Sequence, residues 1–317
     1  MKIRIGYVST ALNLWNSSPA KNLTFTRWKD MCKQDRNEKL KEITLTNIRN
    51  TYRVLSYNIA HEICVYRFSS SIVPLATHPE VNFDYINEFK EQWAELGKLV
   101  IKFNLRTSFH PNQFTLFTSE KNNITENAIR DLQYHFNLLK IMGISNGTIN
   151  IHIGGAYGDK TSALERFGNN IELIPEEIRK VLTFENDDKT YTALETIDVC
   201  NKYNFKFAFD FHHHIANPCQ VCLDEIIKSQ AETWNEFGIP PKIHVSSPKS
   251  AKEYRAHSDL VDIDFIMPLI DAAKKLGIDI DFMVEAKFKD IAALKLIDDL
   301  SKLRGIKRIG GATLEIK

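Results

Sequence analysis

Long hydrophobic runs are absent from the sequence, and cysteines are few. No stretch of the 317 residues is long and apolar enough to span a bilayer, so we expect no contact with a membrane. The five cysteines are odd in number and scattered, which argues against a disulfide framework and favours a reducing, cytoplasmic location. Cys219 and Cys222 form a C-x-x-C without a second pair, and we expect them to be packing thiols rather than zinc ligands.

An excess of charge of either sign is also absent. Lys and Arg total 41, Asp and Glu total 40, and the net charge is +1. A globally basic surface is therefore excluded, and any nucleic-acid site has to be a local patch. No Pro/Gly/Ser-rich linker or low-complexity tract divides the chain, so we predict one domain over residues 1–317.

What the chain does have is eight short runs rich in β-branched and aromatic residues, as is typical of buried strands. Apolar residues between the runs recur at spacings of three and four, as in segments 86–103, 132–139 and 291–297. This alternation predicts β/α units and, at this length, a TIM (β/α)8 barrel with room for long loops. The runs are KIRIGYVS, ICVYRFSS, LRTSFHP, TINIHIGG, VLTFEND, FKFAFDF, KIHVSS and IDFMVEA.

From the third run onward, each run ends in, or is closely followed by, a side chain that can bind a metal. A parallel barrel gathers its strand C-termini on one face, so we predict that these side chains converge on one multi-metal centre there. Imidazole with carboxylate suits zinc, manganese or iron, and Glu185, in the middle of the series, is the natural bridge between two ions. The candidate ligands are His110, His152, Glu185, Asp210, His213, His244, His257 and Glu285.

Residues beside these candidates have alternative roles. Lys242 lies two residues before His244 and shares its face of the strand, where it can neutralise charge, bind phosphate, be carbamylated into a ligand or pair with a site carboxylate. Asp187 and Asp188 follow Glu185 directly, and they orient ligands or cap the next helix.

The segment DFHHH at 210–214 has two possible geometries. Strand alternation places Asp210 and His212 on one face of the strand. A turn at the strand end instead brings His213 inward, which leaves His212 and His214 as supporting or loop residues.

The longest insert without a strand follows the first run, at about residues 10–39, and it interleaves aromatic and basic side chains. Such side chains can stack on bases and contact phosphates. The alternative is a loop that folds over the barrel with its aromatic residues buried. The residues concerned are Trp15, Lys21, Phe25, Arg27, Trp28 and Lys29.

At these residues the chain resembles the UV damage endonuclease family, which is related to endonuclease IV and shares its barrel and metal-binding pattern. The resemblance spans nearly the whole chain, and the order and spacing of its segments are more specific than any single motif. The matching segments are IRIGYVS, VYRFSSSIVPLATHPE, SFHPNQFTLF, INIHIGGAYGDK, TFENDDKTY, FDFHHH, KIHVSSPK followed by RAH, and EAKFKD.

The resemblance implies a metal-dependent DNA endonuclease that initiates excision repair. Such an enzyme cuts duplex DNA immediately 5′ to cyclobutane pyrimidine dimers and 6-4 photoproducts, and at abasic sites, leaving a 3′-hydroxyl and a 5′-phosphate. It uses no ATP or other nucleotide cofactor. It holds two or three divalent ions, with manganese preferred and magnesium, cobalt or zinc as substitutes. We expect a monomer whose partner is damaged double-stranded DNA.

The resemblance also implies roles for individual residues. The eight positions named above are implied to be metal ligands. Glu185, Lys242 and Tyr7 are implied to be catalytic, and Lys242 matches a lysine that is modified near the metals. Asn58 and Arg67 fall in matching motifs and are assigned to DNA binding.

A pair of residues is implied to probe the DNA at the lesion. Gln113 and Phe114 occupy its positions. Tyrosine is frequent at the second position, and phenylalanine keeps the stacking face but loses the hydroxyl. Because a photodimer weakens stacking and pairing, lesion choice can rest on how easily the duplex deforms, and the pair would fill the gap.

Two other function classes are compatible with parts of the pattern. A metal-dependent sugar isomerase or epimerase shares the barrel and the strand-end ligands, but it needs a small closed pocket, whereas the aromatic-basic insert and HPNQF favour a groove. A non-catalytic DNA-damage binding protein is the other alternative, and the complete ligand series argues against it.

Overall fold

The computed structural model describes residues 1–317, which form ten strands and twelve α-helices. The strands are β1 (Lys2–Val8), β2 (Val65–Arg67), β3 (Arg106–Phe109), β4 (Thr148–His152), β5 (Leu182–Glu185), β6 (Lys206–Asp210), β7 (Lys242–Val245), β8 (Ile280–Val284), β9 (Ile306–Gly310) and β10 (Thr313–Ile316). The helices are α1 (Phe25–Asp30), α2 (Lys33–Ala60), α3 (Tyr85–Glu88), α4 (Lys90–Lys102), α5 (Asn122–Ile141), α6 (Lys160–Ile171), α7 (Glu176–Arg179), α8 (Ala193–Tyr203), α9 (Phe211–Ala216), α10 (Leu223–Glu232), α11 (Ile263–Leu276) and α12 (Lys289–Leu300).

The first eight strands close into a parallel barrel. Each strand from β1 to β8 pairs in parallel with the next, and β1 also pairs in parallel with β8. Helices lie between the strands along the chain, so the fold is the predicted TIM barrel. All eight predicted runs contain one of these strands. None of the helices combines the length and the apolar character that a membrane crossing needs.

A β-hairpin that the sequence did not predict completes the sheet. Strands β9 and β10 pair antiparallel, and β10 pairs with the first half of β1, where Lys2 lies opposite Glu315. On β1, only the last two residues, Tyr7 and Val8, pair with β2. The hairpin therefore covers the side of β1 that β2 leaves free. Its largely exposed β9 lacks the apolar run by which the other strands were recognised.

Alternation along the strands separates an outer apolar layer, which packs against the helices, from the barrel interior. Ile3, Ile5 and Tyr7 of β1 pack in the main hydrophobic core with the helices. Arg4, Gly6 and Val8 face the other way, as successive strand residues must. Position 6 requires glycine because the backbone of β2 approaches it closely: a Cβ there would lie 1.9 Å from the carbonyl oxygen of Val65.

Charged side chains fill the N-terminal end of the barrel interior. Asp281 is fully buried and accepts hydrogen bonds from Arg4 at 2.5 and 2.6 Å, and it also pairs with Arg106. Lys242 lies opposite Asp281 in the β7–β8 register. A small apolar cluster of Val8, Val65 and Met283 separates these charged groups from the polar groups at the opposite end, which form the site described next.

The aromatic residues of the insert after β1 differ in burial. Phe25 and Trp28 are half-buried around a small cluster of Leu23, Leu40, Ile43 and Val81, and Phe25 stacks on His78 at 3.8 Å. These two aromatic residues are packing residues. Trp15, by contrast, is exposed, as are the basic side chains Lys21, Arg27 and Lys29.

Candidate active site

Glu185 stands at the centre of the side chains gathered at the strand C-termini. It ends β5 and is buried. Its Oε2 lies 3.1 Å from Nε2 of His110 and 3.0 Å from Nδ1 of His244. Its Oε1 lies 3.3 Å from Nδ1 of His213 and 4.0 Å from Nε2 of His152. The two oxygens face different pairs of histidines, which is the arrangement expected of a bridging carboxylate.

The turn after β6 decides which histidine of the DFHHH segment faces this centre. Asp210 is the N-cap of α9, and its Oδ1 accepts a hydrogen bond from the backbone N–H of His213 at 2.7 Å. Three residues make nearly one helical turn, so His213 returns to the side of Asp210, with Nδ1 3.7 Å from Oδ2. His212 bonds to a backbone carbonyl of the loop after β7, and His214 is buried away from the carboxylates.

Glu285, just after β8, completes the set of carboxylates. It forms an ion pair with Arg67, and its Oε1 lies 3.3 Å from Nδ1 of His244. Its Oε2 lies 4.0 Å from Nε2 of His257. The other ring nitrogen of His257 lies 2.8 Å from the hydroxyl oxygen of Ser246, which fixes the orientation of the imidazole.

Seven of the eight candidate ligands fall into three overlapping groups of potential metal donors, and within each group the donor atoms lie within 4.8 Å of one another. Glu185 belongs to two groups and Asp210 to two. His257 belongs to none and touches the set only through Glu285. The groups are His110 with His152 and Glu185; Glu185 with Asp210 and His213; and Asp210 with His244 and Glu285.

The carboxylates and imidazoles of the centre shift one another's pKa values. Burial by itself raises the pKa of Glu185, but the positive charge of His244 and His152 outweighs burial and holds that pKa well below its usual range. Burial lowers the pKa of His213, yet Asp210 and Glu185 raise it to about 11. Carboxylates that draw protons onto neighbouring imidazoles create the same field that attracts a divalent cation.

The hydrogen bonding also fits a metal. Oδ2 of Asp210 is buried without a hydrogen-bond partner, and Nδ1 of His244, although it lies 3.0 Å from Oε2 of Glu185, makes no well-aligned hydrogen bond. An unpaired buried polar atom costs about 1–3 kcal/mol, and a cation between the two would satisfy both. His110 keeps one ring nitrogen on the carbonyl of Pro111 at 2.9 Å and turns the other to Glu185, as metal-ligating histidines do. The donor set therefore fits a divalent-metal centre.

Lys242 lies two residues before His244 on β7, toward the N-terminal end of the barrel. Its ammonium nitrogen is buried and has no hydrogen-bond partner or ion pair, because Arg4 and Arg106 take the nearby Asp281. Burial, and then the positive charge of Arg106, lower the pKa of Lys242 well below its usual value. The structure thus shows no salt bridge from Lys242 to a site carboxylate, and it leaves the amine unpaired on the face of β7 that carries His244.

One known family matches the whole chain: its model, described as UV-endonuclease UvdE, covers residues 3–317. The chain belongs to the UV-endonuclease family. It is 55% identical over 316 residues to the UV DNA damage endonuclease of Bacillus mycoides (strain KBAB4), and the match covers 99% of this chain and 100% of that protein. Membership makes the chain an endonuclease and sets aside the sugar isomerase and the non-catalytic binding protein.

Solved structures agree with membership in the UV-endonuclease family. The structure of SacUVDE has a TM-score of 0.84 and 26% identity, covering 95% of this chain and 100% of that one. Endonuclease IV from Thermus thermophilus has a TM-score of 0.58 and 12% identity, covering 93% of this chain and 98% of that one. The second likeness shows a shared fold and nothing finer.

Tyr7 and Asn58 of this UV-family endonuclease lie outside the cluster. Both are buried, and the hydroxyl of Tyr7 donates to Oδ1 of Asn58 at 2.6 Å. Tyr7 is on the outward face of β1, against α2, and neither residue bonds to a carboxylate or histidine of the centre. No direct contact with the centre therefore supports the roles in catalysis and DNA binding that the resemblance implies for these two residues.

The implied lesion-probing pair stands at the tip of a braced turn after β3. Oδ1 of Asn112 accepts from the backbone N–H of Phe114 at 2.8 Å, and Thr115 donates to Asp131 at 2.5 Å. Gln113 and Phe114 are both exposed, with Phe114 at 72%. The turn therefore presents an exposed aromatic side chain on a hydrogen-bonded base.

Two asparagines that the sequence reading missed hold the centre of this endonuclease in place. Asn150 donates to Glu185 and accepts from Thr183 at 2.7 Å. Asn186 bonds through its side chain to both backbone groups of Asp210, each at 2.9 Å. Asn150 lies two residues before a candidate ligand on β4 and shares its face, a spacing that would have identified it.

Two expectations about neighbouring residues can be compared with the structure. Neither Asp187 nor Asp188 caps the next helix, because Thr192 does so in a capping box with Glu195. Asp187 instead accepts from backbone N–H groups of the turn that precedes the cap. The five cysteines are free; Cys219 packs against the main core, but Cys222 is exposed, so the packing role predicted for both fits Cys219 alone.

Proposed function

We propose that this endonuclease cuts duplex DNA immediately 5′ to UV photoproducts and at abasic sites, without ATP, leaving a 3′-hydroxyl and a 5′-phosphate. The observation that carries the proposal is the buried carboxylate–histidine cluster around Glu185, on the same barrel face as the exposed turn of Gln113 and Phe114. Relatives of more than half identity are named UV DNA damage endonucleases, which supports the same substrate class.

We propose that the metal is manganese, with magnesium, cobalt or zinc as substitutes. The three donor groups would hold two or three ions. Bound divalent cations supply Lewis acidity at a phosphodiester and a lowered pKa for the attacking water. Glu185 belongs to two of the donor groups and so links them. Arg67 neutralises the charge of Glu285, so that the carboxylates do not repel each other. His257 contacts the edge of the set through Glu285.

Lys242 has the chemistry for the modification that the resemblance implies. A neutral amine adds to carbon dioxide, forming the N–C bond of a carbamate and releasing one proton. The product places a negative group on the face of β7 that carries His244, beside the unpaired donors of Arg106. A fixed cation then balances the added charge.

Gln113 and Phe114 supply lesion recognition. Insertion of an aromatic side chain is easiest where stacking is already weak, so a damaged step yields before an intact one. Replacement of both residues by Ala is expected to weaken binding to lesion-bearing duplex more than to intact duplex. Phe114→Ala alone should cost roughly tenfold, since stacking on a base is worth about 1–3 kcal/mol. Equal losses on the two DNAs in binding titrations would show that the pair does not sense damage.

The test of the reaction is incision of end-labelled duplexes that each carry one defined lesion, with manganese, magnesium or chelator present. We expect a product that co-migrates with a 3′-hydroxyl marker 5′ to the lesion, only when the metal is present. Cleavage on the 3′ side, or undiminished cleavage in chelator, contradicts the proposal. We also propose that the protein acts as a monomer of one domain, which predicts a single species of about 36.5 kDa in solution.

A further inference from the structure

Trp15 is the most exposed large apolar side chain of the molecule. It is 89% exposed, whereas Trp93 and Trp234 are buried and Trp28 is half-buried, with Arg36 over its ring at 4.5 Å. It lies between β1 and α1, so it leaves the barrel at the face that carries the carboxylate–histidine cluster. Neither the ligand set nor the Gln113–Phe114 turn accounts for it.

The loop that carries Trp15 is anchored to a fully buried carboxylate. Asp290, five residues after Glu285 in α12, accepts the backbone N–H groups of Leu12 at 2.5 Å and Asn13 at 3.2 Å. It also accepts the side-chain amide of Asn13 at 2.9 Å and the hydroxyl of Tyr57 at 3.0 Å. Four donors from a loop and from α2 thus meet on one side chain of a helix that follows a ligand-bearing strand.

A second set of bonds fixes the tip itself. Arg53 of α2 donates to the carbonyl oxygens of Trp15 at 2.8 Å and Asn16 at 3.2 Å. Asn16 has a left-handed φ of 47°, which turns the chain back, and Ser17 donates to the carbonyl of Ala11 at 2.9 Å. The backbone on both sides of the indole is tied down while the indole projects into solvent. Because the backbone is already ordered, binding through the indole costs little further backbone entropy.

We propose that Trp15 stacks on a nucleobase that is unpaired at the lesion, and so acts as a second lesion-selecting side chain beside Phe114. The inference rests on the proposed function, since it takes lesion-bearing DNA as the ligand. Bases of an intact duplex have both faces covered by their neighbours, so an indole finds a free base face only where a base has left the stack. Exposed Lys21 and Arg27 of the same insert suit the phosphates of that strand.

The prediction is a loss confined to damaged DNA. In single-turnover incision by the manganese-loaded protein, Trp15→Ala should raise the enzyme concentration for half-maximal rate on an abasic-site duplex roughly tenfold, with the maximal rate changed less than about twofold. Trp15→Phe should recover most of the loss. Affinity for the intact duplex, measured by fluorescence anisotropy, should stay within about twofold.

Phe103→Ala is the matched control. Phe103 is 42% exposed at the end of α4, which leads into β3, so it lies at the opposite face of the barrel and its removal should change nothing. In stopped-flow mixing, lesion-bearing duplex should quench tryptophan emission before incision in the wild type and the control. Trp15→Phe should lose that quench.

The possible failures are distinguishable. If the wild type does not incise the lesion-bearing duplex, the proposed function itself fails. If the wild type incises it and Trp15→Ala matches it in both half-maximal concentration and quench, only the role of Trp15 is overturned. Equal losses on intact and damaged duplex overturn it as well, because they assign the indole to general DNA contact.

Discussion

At the scale of single residues, Glu185 is the side chain on which the centre depends most directly. Its two oxygens each face two histidines, and it is shared by two groups of donors. Glu185→Gln keeps the shape but removes the bridging charge. Loss of a group that merely orients a ligand costs about 10–100-fold, so we expect incision to fall by roughly 100-fold or more.

The control for that variant is Glu91→Gln, an exposed position in the first turn of α4. Thermal unfolding should show that both proteins remain folded, and metal analysis should show fewer ions bound only in Glu185→Gln. Full incision by Glu185→Gln would mean that the cluster is not the catalytic centre.

Lys242 is the residue at which function and stability should oppose each other. Its buried amine has no partner, and a buried polar group without a hydrogen bond costs about 1–3 kcal/mol, which an apolar side chain of similar length avoids. Lys242→Met should therefore raise the free energy of unfolding of the metal-free protein in urea, while incision falls. Lower stability together with unchanged incision would assign Lys242 to packing alone.

At the scale of elements, Gly97 shows how tightly the helical layer is packed. A Cβ at Gly97 in α4 would lie 1.8 Å from the carbonyl oxygen of Met142, at the end of α5. Alanine is the better helix former by about 1 kcal/mol, but here α4 would have to move away from α5. We expect Gly97→Ala to lower the free energy of unfolding by roughly 1–3 kcal/mol.

Gly143→Ala offers a comparison for that variant. Gly143 lies just after α5 and has space for a Cβ, but its φ is +69°. Its replacement should cost about 1 kcal/mol, through backbone strain rather than a clash. Urea titrations of the two variants separate the effects, and a stabilised Gly97→Ala would show that the α4–α5 contact is loose.

At the scale of the whole molecule, the near-zero net charge bears on selectivity. A protein of net charge +1 has little general attraction for DNA compared with a strongly basic one, so nonspecific affinity should be modest and should rely on local patches. Recognition should then follow how easily the duplex deforms rather than which bases are present.

Chemically unlike lesions that unstack DNA should therefore be cut at comparable rates, abasic sites included, while the flanking sequence changes the rate little. The measurement is a panel of duplexes with one lesion each, placed in several sequence contexts. A strong preference for particular flanking bases would instead indicate direct readout of base edges.

The order of residues was enough to predict the barrel and most of the residues of its centre. Eight apolar runs that alternate with segments of helical periodicity require a parallel sheet. The C-termini of parallel strands meet on one face, whatever the sequences of the helices between them. The positions of His110, His152, Glu185, Asp210 and Glu285 at strand ends were readable for that reason, as was the family pattern in which they stand.

Contacts between distant elements settled the rest. Only the N-cap turn at Asp210 turns His213, not His212, toward Glu185. Only the ion pairs of Asp281 with two arginines leave Lys242 without a partner. The exposed Trp15 and the packed Trp28 carry the same signal in sequence, because exposure is set by the elements that surround a side chain and not by the residues beside it.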